Sequence, residues 1–230
     1  MKKLFERKET LFTILLIVFY VVLNSYCVQN FGTSDYRTTI INTMYSIFLI
    51  ILIIKLKRVT YYGLTKVKNI KNYLYFIPLL VIGTVNIWNG LDLNHSVKEI
   101  TFYILTMINV GFIEEIIFRG FLFKMMEKEN VKRAIIVSSL TFGIGHIVNL
   151  INGADLIPTL LQICYAISLG YLFVTIFSRS KSLVPCIFTH ALINSLAIFN
   201  INNSTFTYII PIVLILISVS YAIYINNRVK

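Results

Sequence analysis

The sequence predicts an all-α fold: a polytopic transmembrane helical bundle of about eight helices, with both termini cytoplasmic. Three observations predict it. The chain is 57% hydrophobic and only 13% charged, whereas a soluble domain is about half apolar and about a quarter charged. Its apolar residues gather into runs of the length, about 20 residues, that a helix needs to cross a bilayer. Its basic residues fall in blocks at alternate ends of those runs. Such a chain has too little charge to cover a surface in water, and lipid removes that difficulty.

Taken in order, the runs lie near 11–29, 38–56, 73–90, 99–124, 133–151, 156–177, 183–200 and 207–225. The first follows Lys2 and Lys3, as a signal peptide would. The run is long for that role and no small-x-small cleavage site follows it near 26–31, so it reads as a retained helix. Asn-Gly pairs at 89–90 and 152–153 mark turns at the outer end. Pro78, Pro158, Pro185 and Pro211 read as residues near helix starts. The loop at 55–72, with Tyr-Tyr-Gly-Leu at 61–64 among basic residues, reads as a solvated cytoplasmic loop that attracts anionic lipid headgroups. Residues 1–230 make a single membrane domain, with no internal repeat.

The net charge of +11 could signal nucleic acid, but its distribution excludes that partner. Of the 21 Lys and Arg residues, only Arg37 and Lys98 fall on the outer side, and Arg119 lies within a span. By the positive-inside rule the base-rich side is cytoplasmic. An error of one helix would scramble this alternation. Cys27, Cys164 and Cys186 sit in or beside apolar runs with no CxxC pair, and read as reduced, buried, small apolar residues.

Ionisable groups within a span are costly and face a bundle interior or a water-filled cavity. Here they concentrate in three runs: Glu114, Glu115 and Arg119 in the fourth, His146 in the fifth, His190 with Asn194 in the seventh. Glu115 and Arg119 are four apart, acid before base, the favourable order for a pair on one face. Glu114 points about 100° away, which leaves it available for chemistry. His190 and Asn194 share a face, as do Phe142 and His146. At ~1.5 Å per residue, His190 lies roughly 10 Å from the cytoplasmic end of its helix, Glu114 and Asn194 roughly 15 Å, and His146 roughly 20 Å. The groups can therefore meet in the middle to cytoplasmic half of the membrane. Asn86, Asn109, Gln162 and Ser168 are isolated and read as packing or hydrogen-bonding residues.

Glu114-Glu115-Ile-Ile-Phe-Arg119 fits Glu-Glu-x-x-x-Arg, Phe142-Gly-Ile-Gly-His146 fits Phe-x-x-x-His, and His190-Ala-Leu-Ile-Asn194 fits His-x-x-x-Asn. Three such motifs, in order on separate helices, resemble the CPBP family, the CAAX prenyl protease and bacteriocin-processing (Abi) intramembrane peptidases. The resemblance covers about residues 100–200. It implies an intramembrane endopeptidase in which Glu114 is the general base for an attacking water that His146 also holds. His190 and Asn194 would donate hydrogen bonds to the oxyanion, while Glu115, Arg119 and Phe142 support the site. No cofactor is favoured: there is no His-Glu-x-x-His, and a zinc ion on Glu114, His146 and His190, the alternative, would consume the base.

The substrate implied is a peptide or lipidated protein, in contact with membrane lipid. The high Ile, Lys and Asn content points to a bacterial plasma membrane, with roles in signal-peptide or bacteriocin processing, immunity or regulation. The alternative is a catalytically silent scaffold or immunity protein that binds a peptide or membrane partner. A transporter predicts inverted repeats and interrupted helices in paired positions, and neither is found. The sequence leaves the oligomeric state open.

Overall fold

A computed structural model describes residues 8–67, 76–201 and 204–228 of the chain. Lys2, Lys3, Arg7, Lys68, Lys71 and Lys230, which enter the charge count above, lie outside the described residues, as does the start of the 73–90 run. The described residues are helical, with no strand among them.

The elements are α1 (Glu9–Phe31), α2 (Tyr36–Lys55), α3 (Ile77–Gly83), α4 (Val97–Met126), α5 (Val131–Gly145), α6 (Leu156–Ser180), α7 (Val184–Leu196) and α8 (Ser204–Arg228). Their starts are set locally. Asp35 accepts the Arg37 N–H at 2.8 Å to open α2, and Asn130 accepts the Arg133 N–H at 2.9 Å to open α5. Ser96 and Glu99 form a reciprocal capping box at the head of α4, which satisfies donors the helix itself cannot. Pro78 and Pro185 stand in the first turns of α3 and α7, as expected; Pro211 instead lies inside α8.

Among the described residues, six helices are long and apolar enough to cross a membrane: α1, α2, α4, α6, α8, and α5 with its continuation to Ile151. Large apolar side chains such as Val22, Met44 and Leu216 are exposed along them, the surface that lipid solvates. The runs expected at 73–90 and 183–200 form the shorter helices. α3 gives way to a 3-10 turn at Val85–Ile87, and α7 to one at Ala197–Phe199. The reason is polar. Thr84 bonds the Val81 carbonyl and accepts from the Trp88 indole, while Asn86 reaches across to the Ile193 carbonyl at 2.7 Å. Cross-links between Asp92 and Phe199, and between Asn89 and Ile201, then join the two short elements at the base-poor end.

Packing follows chain order in part. α5 lies on α6, α6 on α8, and α4 is gripped between α2 and α7. α4 and α7 approach so closely that a Cβ on Gly111 would stand 2.8 Å from the Ala191 backbone nitrogen. Only a glycine permits that crossing.

The base-rich end differs from the solvated loop expected at 61–64. Tyr62 is 1% exposed and packs on Phe121, with ring centroids 4.6 Å apart. The Tyr61 hydroxyl donates to the Lys124 carbonyl, and the Gly63 carbonyl accepts from the Leu183 N–H. Tyr62 and Gly63 are buried and Tyr61 is half-buried, so this part of the segment folds inward as a plug. Cys27 and Cys186 are buried, but Cys164 is exposed on α6: helical spacing turns it outward, against the expectation of burial.

Candidate active site

The site begins at Glu115 and Arg119, whose side chains are both 0% exposed. The Arg119 guanidinium stands 3.0 Å from Glu115 Oε1 and lies 4.0 Å over the Phe142 ring. Charge and ring together hold it, because the guanidinium forms no well-aligned hydrogen bond. α4 turns into a π-helix at Ile116–Phe123, immediately after this acid. Such wide turns are rare and cluster at functional sites.

His190 ties α7 to α4. Its Nδ1 is 2.9 Å from Glu115 Oε1 and its Nε2 is 3.5 Å from Glu114 Oε2. The ring packs edge-on to Phe142 at 5.5 Å. Glu115, expected to answer Arg119 alone, thus also orients His190. Glu114 diverges from its neighbour as the helical spacing requires, with its side chain 15% exposed and facing a cavity. There the Tyr20 hydroxyl donates to Glu114 Oε1 at 3.0 Å.

His146 ends α5, where the expected continuous helix breaks. Its Nδ1 turns back to the Phe142 carbonyl at 3.2 Å, and its ring meets Phe142 at 5.3 Å. Glu114, His146, His190 and Asn194 all line one cavity of about 470 Å³, with Phe142 at its floor. All four candidate reacting residues are therefore brought together. Glu115 and Arg119 lie beneath, out of the cavity.

The sequence reading missed Tyr20. It lies in an apolar run outside the three motifs, and the one signal was chemical: a tyrosine in a span needs a partner for its hydroxyl. It also treated Asn86 and Gln162 as isolated, but both line the cavity. Asn149 donates to Gln162 there at 2.8 Å.

Among the described residues no three His, Cys, Asp or Glu side chains converge as a ligand group. His190 already spends one nitrogen on Glu115.

The fold and the cavity define a polytopic membrane protein with a charged, histidine-bearing chamber inside its helices. Residues 96–196, the segment carrying the site, match the family model described as Rce1-like, type II CAAX prenyl endopeptidase. The matched span agrees with the 100–200 read from the motifs. No curated protein matches the chain.

Proposed function

We infer that the protein hydrolyses a peptide bond inside the membrane, with water as the nucleophile and Glu114 as the base. The observation that carries this reading is the seating of Glu114. One oxygen is held by the Tyr20 hydroxyl and the other faces His190, in a cavity shared with His146 and Asn194.

Glu114 takes a proton from a water that His146 orients, and the water oxygen adds to the scissile carbonyl carbon. The oxyanion accepts hydrogen bonds from His190 and Asn194. With a proton on each ring nitrogen, His190 donates to Glu115 on one side and to the oxyanion on the other. As the C–N bond breaks, the proton on Glu114 passes to the leaving amine. No step uses a metal.

The substrate is a peptide or lipidated protein of a bacterial plasma membrane, in a processing, immunity or regulatory role. The test compares mass spectra of membrane-associated peptides from cells carrying the wild type or Glu114→Gln. A product abundant in the first falls at least about 100-fold in the second, the scale of a lost general base. Equal product and equal biological activity in both would leave a silent scaffold as the answer. Chelator treatment of the purified protein leaves product formation unchanged, and an essential stoichiometric zinc would overturn the metal-free route.

A further inference from the structure

The cavity that holds Glu114 has a direction. Its floor is aromatic: Phe118, Phe142 and Phe173 line it, and the last two lie against Arg119. Beyond that floor, toward the base-rich end, Tyr62, Phe121, Phe123 and Phe177 are at most 2% exposed and fill the bundle. In the other direction the lining runs through Asn24 and Ser25 on α1 to Thr33, Asn152 and Asn200. Thr33, Asn152 and Asn200 belong to the turns that follow α1, α5 with its continuation, and α7, where Arg37 and Lys98 are the basic residues nearby. A second cavity of about 310 Å³ shares Asn86, Gln162, Tyr165 and Asn200 with the first, and opens at the same end.

The lining has a chemical character as well. Asn24, Asn86, Asn149, Asn152, Gln162 and Asn200 put six carboxamides between the mouth and Glu114. Each carries donors and an acceptor, the complement of a peptide backbone. Among the described lining residues there is no lysine or arginine, and Glu114 is the one acid. In the carboxamide-lined stretch outward of Glu114, a charged side chain would lose water with no lysine, arginine or acid there to replace it. Asn152 also accepts from Ser25 at 2.7 Å and from Gln29 at 2.8 Å, which joins α1 to the far side of the mouth.

We propose that the active site is loaded from the extracytoplasmic face, and that it takes an extended, uncharged peptide segment along its carboxamide-lined shaft. The face follows from combining the direction of the cavity with the positive-inside asymmetry, since the mouth opens at the base-poor end. The proposal rests on the reading of the site as a peptidase only for what happens to the segment after it arrives. It moves the entry opposite to the cytoplasmic side that depth along the helices alone suggested.

The test uses the full-length protein in cell membranes. Thr33→Cys and Asn200→Cys are each made in a Cys164→Ser background, because Cys27 and Cys186 are buried. Lys57→Cys reports the base-rich end. A membrane-impermeant maleimide is applied to intact cells and to inside-out vesicles, and total protein is counted by labelling in SDS. Thr33→Cys and Asn200→Cys react from outside, at least tenfold faster than in inside-out vesicles, and Lys57→Cys shows the reverse. Reaction of the mouth residues only in inside-out vesicles overturns the loading face.

Three synthetic decapeptides are then added to intact cells: one of Asn, Ser and Ala, and two with Lys or Asp at alternate positions. The neutral peptide slows labelling of Asn200→Cys several-fold and the charged ones do not. Equal protection by all three overturns the uncharged-segment preference. Labelling requires no hydrolysis, so a failure of the peptidase reading, seen as a silent Glu114→Gln, is distinguishable from a failure here.

Discussion

Tyr20 is the residue that most changes the chemistry of Glu114. A hydrogen bond to a charged acceptor is worth about 1.5–3 kcal/mol, and this one crosses from α1 to α4 to fix where the carboxylate proposed as the base points. Without it the carboxylate turns freely in a cavity wide enough to let it, and a base misplaced by an ångström loses much of its rate. Tyr20→Phe removes one oxygen and no packing. Turnover of the peptide that Glu114→Gln fails to process falls about tenfold, with KM and thermal stability unchanged. Kinetics beside a melting curve check both halves; a matching loss of stability would make the hydroxyl merely structural. The sequence made Glu114, Glu115, Arg119, His146, His190 and Asn194 legible because charge in lipid is rare enough to be conspicuous. Tyr20 was hidden for the opposite reason: tyrosine is ordinary in an apolar run, and its partner lies 94 residues away.

Among the elements, the crossing of α4 and α7 positions everything else. Gly111 sits one turn before Glu114 and Glu115, and Ala191 follows His190, so the glycine sets the distance between the acids and the histidine. Gly111→Val drives a branched side chain against backbone at 2.8 Å, which must move. Overpacking of this kind costs about 1–3 kcal/mol, and the separation falls on the 2.9 Å contact between His190 and Glu115. Product formation therefore drops more steeply than stability, by at least tenfold. A control is Gly145→Ala, where a Cβ meets nothing within 4 Å; its melting temperature is unchanged or higher, since alanine is the better helix residue. Helical periodicity could not reveal the π segment at Ile116–Phe123, because Ile-Ile-Phe-Arg-Gly-Phe-Leu-Phe is apolar on nearly every face. The break at His146 was equally silent, for it depends on the side chain folding back to its own helix.

On the scale of the whole molecule, the two ends are built differently, and the difference is energetic. The base-poor end spends its polar groups on cross-links around an open mouth, while the base-rich end is sealed by Tyr62 packed on Phe121 and by the tight passage of Gly63 at φ +70°. A Cβ on Gly63 would meet Phe177 at 2.3 Å and the Leu183 backbone nitrogen at 2.9 Å, so the chain can pass there only as glycine. A sequence pass assigns such a segment to solvent because lysines and arginines flank it; the contacts that bury it come from α4 and from the start of α7, far along the chain. If the seal is structural, Tyr62→Ala leaves a void beside Phe121 and lowers stability by about 3–5 kcal/mol, the range for removing a buried aromatic. Thermal unfolding in detergent measures it. Site chemistry, lying beyond the aromatic floor of Phe118, Phe142 and Phe173, keeps its rate at temperatures where the variant stays folded. A Tyr62→Ala protein as stable as the wild type, yet slower in product formation, would mean instead that the base-rich end takes part in moving substrate or product.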